Sequence, residues 1–141
     1  MSGKIDWKGC IGTMQAKTVT PDTELINYLV DSSSNRRKTA KMIPLNETTK
    51  ESVISLMYDS LRELLEALSI KEGFKIYNHE CYTQFLISVV KDEELAREFD
   101  SARLLRNRLN YYGRKIPLND AKYRIISIDK LISKVGAMVK I

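Results

Sequence analysis

Apolar residues recur along this chain at spacings of three and four, and no segment alternates cleanly between apolar and polar. That period belongs to amphipathic helices rather than strands. The first helix is predicted from Thr20-Pro21 to Met42, ahead of Pro44. Threonine is a good N-cap, proline suits the first helical position, and Asp22 and Glu24 favour the positive end of the dipole. Leu25, Ile26, Leu29 and Ala40 would face inward, while Asp31-Ser32-Ser33-Ser34-Asn35 is a poor helix former expected to bend or break it. Thr48-Thr49-Lys50-Glu51 reads as a capping box opening a second helix. Its stripe of Val53, Leu56, Met57, Leu61, Leu64 and Leu68, widened by Ile54, Tyr58 and Leu65, marks it as the central one. Gly73 closes it. A shorter third helix follows Asn78 and carries Phe85, Leu86, Val89 and Val90. Asp92 caps a fourth that runs to about Tyr112 and stops at Gly113, with Leu95, Phe99, Ala102, Leu105, Leu109 and Tyr112 inward. Asn119 caps a fifth, whose apolar side is Ile125, Ile128, Leu131, Ile132, Val135 and Val139. Helices of this length joined by short loops pack as antiparallel bundles. The expectation is an all-α fold, an up-and-down four-helix bundle with an additional helix, over residues 18–141. Residues 1–17 fit no element and read as an N-terminal tail, mobile or packed at an edge, with Trp7 able to tuck onto the bundle.

Composition narrows the class. A hydrophobic fraction of 43% and a charged fraction of 29% are ordinary for a globular domain. No apolar run approaches the roughly 18 residues of a membrane span. The opening MSGKIDWKGC has lysines but no apolar core to follow, so a cytoplasmic protein without a secretory leader is expected. Cys10 and Cys81 sit in no CxxC or Cys/His pattern and there is one histidine, His79. That argues against zinc, and the two cysteines read as reduced thiols. No metal, cofactor or membrane partner is expected. Charge is uneven: between Arg97 and Arg124 eight basic residues face three acids, a local excess equal to the +5 of the whole chain. A basic zone of this kind is the footprint of a phosphate-binding surface, and also what a solvated helix face looks like.

The polar stripe of the fourth helix carries the candidate chemistry. At about 100° per residue, Arg103, Arg106, Asn107, Asn110 and Arg114 gather on one face. Arg106 follows Phe99 by seven residues, which places it within about 20° of the core stripe, and a charge held there needs a partner. Leu104 and Tyr111 make the opposite side apolar, so two packing partners are expected, its own bundle and a second subunit. Two readings stay open. Arg103 or Arg106 pairs with the acids of the second helix's stripe, Asp59, Glu63 and Glu66. Alternatively Arg106 and Asn107 meet a phosphate or base at a dimer cleft, a role that suits the planar guanidinium fork.

At this segment the chain resembles the HEPN family (higher eukaryote and prokaryote nucleotide-binding). The family's mark is an arginine, commonly followed by asparagine, then four to six residues and a histidine near the end of a long helix. Arg106-Asn107 matches its start. Tyr58-Asp59-Ser60-Leu61-Arg62-Glu63, then Gly73-Phe74-Lys75-Ile76-Tyr77-Asn78-His79-Glu80-Cys81, then Asn110-Tyr111-Tyr112-Gly113 are similar to a prokaryotic branch. The resemblance spans roughly residues 20–140. It implies a symmetric homodimer whose composite cleft takes an arginine motif from each subunit. Many such proteins are metal-independent ribonucleases, often toxins of toxin–antitoxin pairs, and others work beside a minimal nucleotidyltransferase. This chain departs from the motif, because Tyr111 and Tyr112 stand where the histidine is expected. Histidine titrates near 6.5 and makes a good base at neutral pH; tyrosine, near 10, does not. The resemblance therefore implies catalytic positions at Arg106, Asn107, Tyr111 and Tyr112, with His79 as the remaining histidine, and nucleic-acid contacts at Arg103, Arg106, Asn110 and Arg114. The expected function is binding of RNA, nucleotide or a partner nucleotidyltransferase at a homodimer cleft with weak or no catalysis. The alternatives are a metal-independent endoribonuclease of toxin–antitoxin type and a structural dimeric bundle.

Overall fold

The computed structural model describes residues 5–111, 113 and 115–140, and the side chain of Tyr111 lies outside that description. It is a helical bundle with one small ribbon. The elements are α1 (Trp7–Gly12), β1 (Ala16–Thr18), α2 (Thr23–Met42), α3 (Lys50–Lys71), β2 (Phe74–Ile76), α4 (His79–Phe85), α5 (Glu93–Tyr111) and α6 (Leu118–Val139). The five predicted helices are α2 to α6.

α3 is the central helix, as its wide apolar stripe required. Ile54, Met57, Tyr58, Leu61 and Leu65 are all but inaccessible to solvent, and α2 and α6 both lie along it. The serine run does not break α2. The Ser33 hydroxyl donates to the Ser60 carbonyl at 2.7 Å, and the Ser60 hydroxyl donates back to the Ser33 carbonyl at 2.9 Å. Side chains this small let two helices approach closely, and each buried hydroxyl finds an acceptor across the interface.

Helix starts differ from the sequence expectation where a nearer side chain competes. α2 is capped by Asp22, whose carboxylate accepts the Leu25 N–H at 3.1 Å, so Thr20-Pro21 lies ahead of the helix. The capping box does not form. The Asn46 carboxamide oxygen takes the N–H groups of Thr48 and Thr49 at 2.9 and 3.1 Å, and the Thr49 hydroxyl donates to the Pro44 carbonyl. These bonds make a tight turn into α3. α6 begins at Leu118 with Pro117 in the cap position, ahead of Asn119. Asn78 and Asp92 do cap α4 and α5, accepting the N–H groups of Glu80 at 2.7 Å and Leu95 at 3.0 Å. α4 runs into a wider π turn over Leu86–Val90, and Lys91 then reverses the chain in the left-handed region.

The N-terminal segment is structured where the sequence offered no element. α1 packs on α4, and β1 pairs antiparallel with β2, Ala16 opposite Ile76, Lys17 opposite Lys75 and Thr18 opposite Phe74. Gly73, at φ +93°, makes the left-handed step that turns α3 into β2. Trp7 does tuck onto the bundle, edge-on to Phe74 at 5.2 Å and tilted against Phe85 at 5.9 Å between ring centroids. The expectation of two reduced thiols is overturned: Cys10 and Cys81 form a disulfide between α1 and α4. The ribbon folds α1 back onto α4, bringing together two cysteines 71 residues apart that no local spacing relates.

Cross-linking a loop of that length restricts the unfolded chain by up to about 4 kcal/mol in the chain-entropy description. Reduction, or Cys10→Ser with Cys81→Ser, is expected to lower the urea midpoint by a stability loss of that order. Amides of α1 and β1 should lose hydrogen-exchange protection before those of α3.

Candidate nucleotide-binding site

Three helices meet at Tyr58. Its position on α3 puts the ring in the core, fully buried, and α5 presents Phe99 and Arg106 to it from one face. Phe99 stacks on the ring with centroids 6.1 Å apart, and the Arg106 guanidinium carbon lies 5.4 Å from the ring centre. The seven-residue spacing on α5 therefore brings Arg106 to the core stripe. The aromatic face supplies a favourable surface for its planar cation. The Tyr58 hydroxyl lies 3.0 Å from Nδ1 of His79, the first residue of α4. Arg62, one turn after Tyr58 on α3, and Arg103 on α5 add to burial and Arg106 in lowering the His79 pKa.

Burial and this charge set the protonation states. His79 is held below its ordinary 6.5, first by desolvation and then by Arg62, Arg106 and Arg103, with Asp59 opposing. Burial pushes the Tyr58 phenol up to about 12 even though the same arginines pull it down. At neutral pH the pair is thus a neutral imidazole beside a protonated phenol. When Nδ1–H donates to the phenol oxygen, the Nε2 lone pair is left to take a proton. When the phenol donates to Nδ1, Nε2–H becomes a donor.

Of the α3 acids expected to pair with Arg103 or Arg106, Glu63 and Glu66 engage other cations. Glu63 receives the Arg36 Nε–H at 2.8 Å and the Ser32 hydroxyl at 2.7 Å. Glu66 lies 3.7 Å from Arg62 and 3.6 Å from Lys75. Arg103 pairs within its own helix, two of its nitrogens donating to Asp100 at 3.0 and 2.7 Å. Of the other predicted positions, Asn107 is half-buried and Asn110 exposed. The side chain of Tyr111, and Tyr112 and Arg114, lie outside the described residues. The structure thus brings Arg103, Arg106 and His79 together. It adds Tyr58, which the sequence reading had assigned to the core stripe, and Arg62, which lies in a segment similar to the family but was given no role. No known protein-family model matches the chain, and no curated protein matches it.

His79 is the sole histidine, so the window around its titration belongs to it alone. Its folded pKa is depressed, so between that value and 6.5 the unfolded chain holds the extra proton. The stability contribution is whole above pH 6.5 and is lost as pH falls through the folded value. A proton NMR titration should place the single imidazole below 6.5. Arg62→Gln or Arg106→Gln should raise it, and His79→Gln should flatten the dependence of the denaturation midpoint on pH between about 7 and 5.

Proposed function

We propose that this chain binds the phosphate groups of RNA or of a nucleotide with Arg62, Arg103 and Arg106, around the Tyr58–His79 pair. The observation that carries the reading is the Arg106 guanidinium 5.4 Å from the ring centre of Tyr58, whose hydroxyl lies 3.0 Å from Nδ1 of His79, with Arg62 and Arg103 adding positive charge nearby. Arg62 and Arg103 are also paired, with Glu66 at 3.7 Å and Asp100 at 2.7 Å, and positive charge gathered on one face draws an anion toward it. Arg103 is held in place by Asp100, to which two of its nitrogens donate. The resemblance to HEPN domains agrees, and it adds a cleft shared by two copies. Leu104, 48% exposed on α5, supplies an apolar position for that contact.

Purified protein is expected to bind labelled single-stranded RNA with a strong salt dependence. Arg106→Ala should weaken binding roughly tenfold or more and reduce the salt slope by about one. Unchanged RNA affinity together with a stability loss of several kcal/mol would assign Arg106 a purely structural role. In light scattering, a dimer of the wild type and a monomer of Leu104→Glu are expected; a monomeric wild type removes the shared cleft.

A second reading is favoured by the placement of His79. The family motif's histidine is missing from α5, yet an imidazole kept neutral stands beside the motif arginine through Tyr58. It can accept the ribose 2′-hydroxyl proton while that oxygen attacks the adjacent phosphorus and displaces the 5′-oxygen, leaving a cyclic phosphate end. If this holds, His79→Ala abolishes cleavage and spares RNA binding, whereas Arg106→Ala impairs both. Intact RNA after incubation with the wild type leaves binding alone.

A further inference from the structure

The outer face of the ribbon is the strongest feature that the site described above does not use. Ala16, Thr18, Phe74 and Ile76 share one face of the two strands, with Ala16 and Ile76 buried in the core. Strand alternation puts Lys17, Lys75 and the following Tyr77 on the other. Lys17 stands directly opposite Lys75, and like charges in that position destabilise a strand pair. Glu66 lies 3.6 Å from Lys75. Both ammonium groups lie near the Tyr77 ring, 5.8 and 5.9 Å from its centre, and the ring is 55% exposed. An exposed aromatic flanked by two cations is the arrangement that takes a base on the ring and phosphates on either side. The platform is fixed in place: the Tyr77 N–H donates to the Gln15 carbonyl at 2.8 Å, and the Asn78 carboxamide donates to the Gln15 side chain at 2.5 Å. It is also continuous with the site, since Tyr77 precedes His79 by two residues and Glu66 reaches both Lys75 and Arg62.

We infer that the ribbon is a second subsite for single-stranded RNA, with a base stacked on Tyr77 and its flanking phosphates on Lys17 and Lys75. The inference rests on the reading of the arginine cluster as a phosphate site and extends the strand's path along α3 to the ribbon. The test is fluorescence anisotropy with a labelled twelve-nucleotide oligoadenylate and, as a base-free polyanion, inorganic polyphosphate. Tyr77→Ala should weaken oligoadenylate binding roughly tenfold or more while leaving polyphosphate affinity unchanged, and Tyr77→Phe should retain the wild-type affinity. Lys17→Gln and Lys75→Gln should each lower the salt slope by about one. Tyr77 is a surface residue, so a matching melting curve shows that the alanine variant is folded. Unchanged oligoadenylate affinity in Tyr77→Ala, with Arg106→Ala still impaired, overturns the ribbon subsite and leaves the arginine site standing. The reverse pattern removes the arginine site and keeps the ribbon. A wild-type chain that binds polyphosphate and oligoadenylate equally, or neither, overturns the stacking role.

Discussion

A tyrosine buried as far as its hydroxyl ties the candidate site to the core. Tyr58 lies on the helix about which the bundle is arranged, and its ring is wedged against Phe99 and Arg106 of α5. Its hydroxyl cannot be left dry without cost, since a buried polar group with no partner loses the hydrogen bonds that water gave it. His79 supplies the partner. One side chain thus sets the distance between α3 and α5 and gives α4 a reason to begin where it does. It also determines what a substitution does. Losing the ring would open a cavity in the core, free the guanidinium from its stacking surface and release the imidazole together.

α4 is short, and a helix of two turns does not hold its position alone. Its place is fixed from the other side, by the disulfide to α1 at Cys81 and by the aromatic packing of Phe85 against Trp7. The segment from Trp7 to Thr18 therefore acts on the site at one remove. It holds α4 against the bundle, and α4 holds His79 against Tyr58. The ribbon serves the same end, because Asn78, which caps α4, is bound through its side chain to Gln15.

Helix periodicity made the bundle legible. The stripe from Val53 to Leu68 identified the central helix, and Asn78 and Asp92 announced the starts they cap. Arg106 was legible too, since a charge seven residues from Phe99 had to meet the core. What the sequence could not show were meetings between distant segments. Nothing near Cys10 points to Cys81. Nothing in Lys17 predicts that it will stand across from Lys75, because three-residue strands are too short to show an alternation. Tyr58 looked like a core residue and is one, and its second role depends on what α4 and α5 bring to it. The serine run misled for a related reason: helix propensity treats Ser33 as isolated, whereas across the interface it exchanges hydrogen bonds with Ser60.

The positive charge beside Tyr58 is what the phosphate reading rests on. A bundle that needed only to fold could fill the space around Tyr58 with leucine, as α3 does along much of its length, and would avoid the cost of desolvating charge. Burial first, and then Arg62, Arg106 and Arg103, hold the His79 imidazole below its ordinary pKa, with Asp59 opposing. Two of these arginines are matched to acids, Arg62 to Glu66 at 3.7 Å and Arg103 to Asp100 at 2.7 Å, as Arg37 is to Asp129 at 2.7 Å. An incoming phosphate would meet donors already oriented by Tyr58 and Asp100, so that little ordering remains to be done on binding. It would also raise the proton affinity of His79, coupling occupancy of the site to the one side chain there that can change charge near neutral pH.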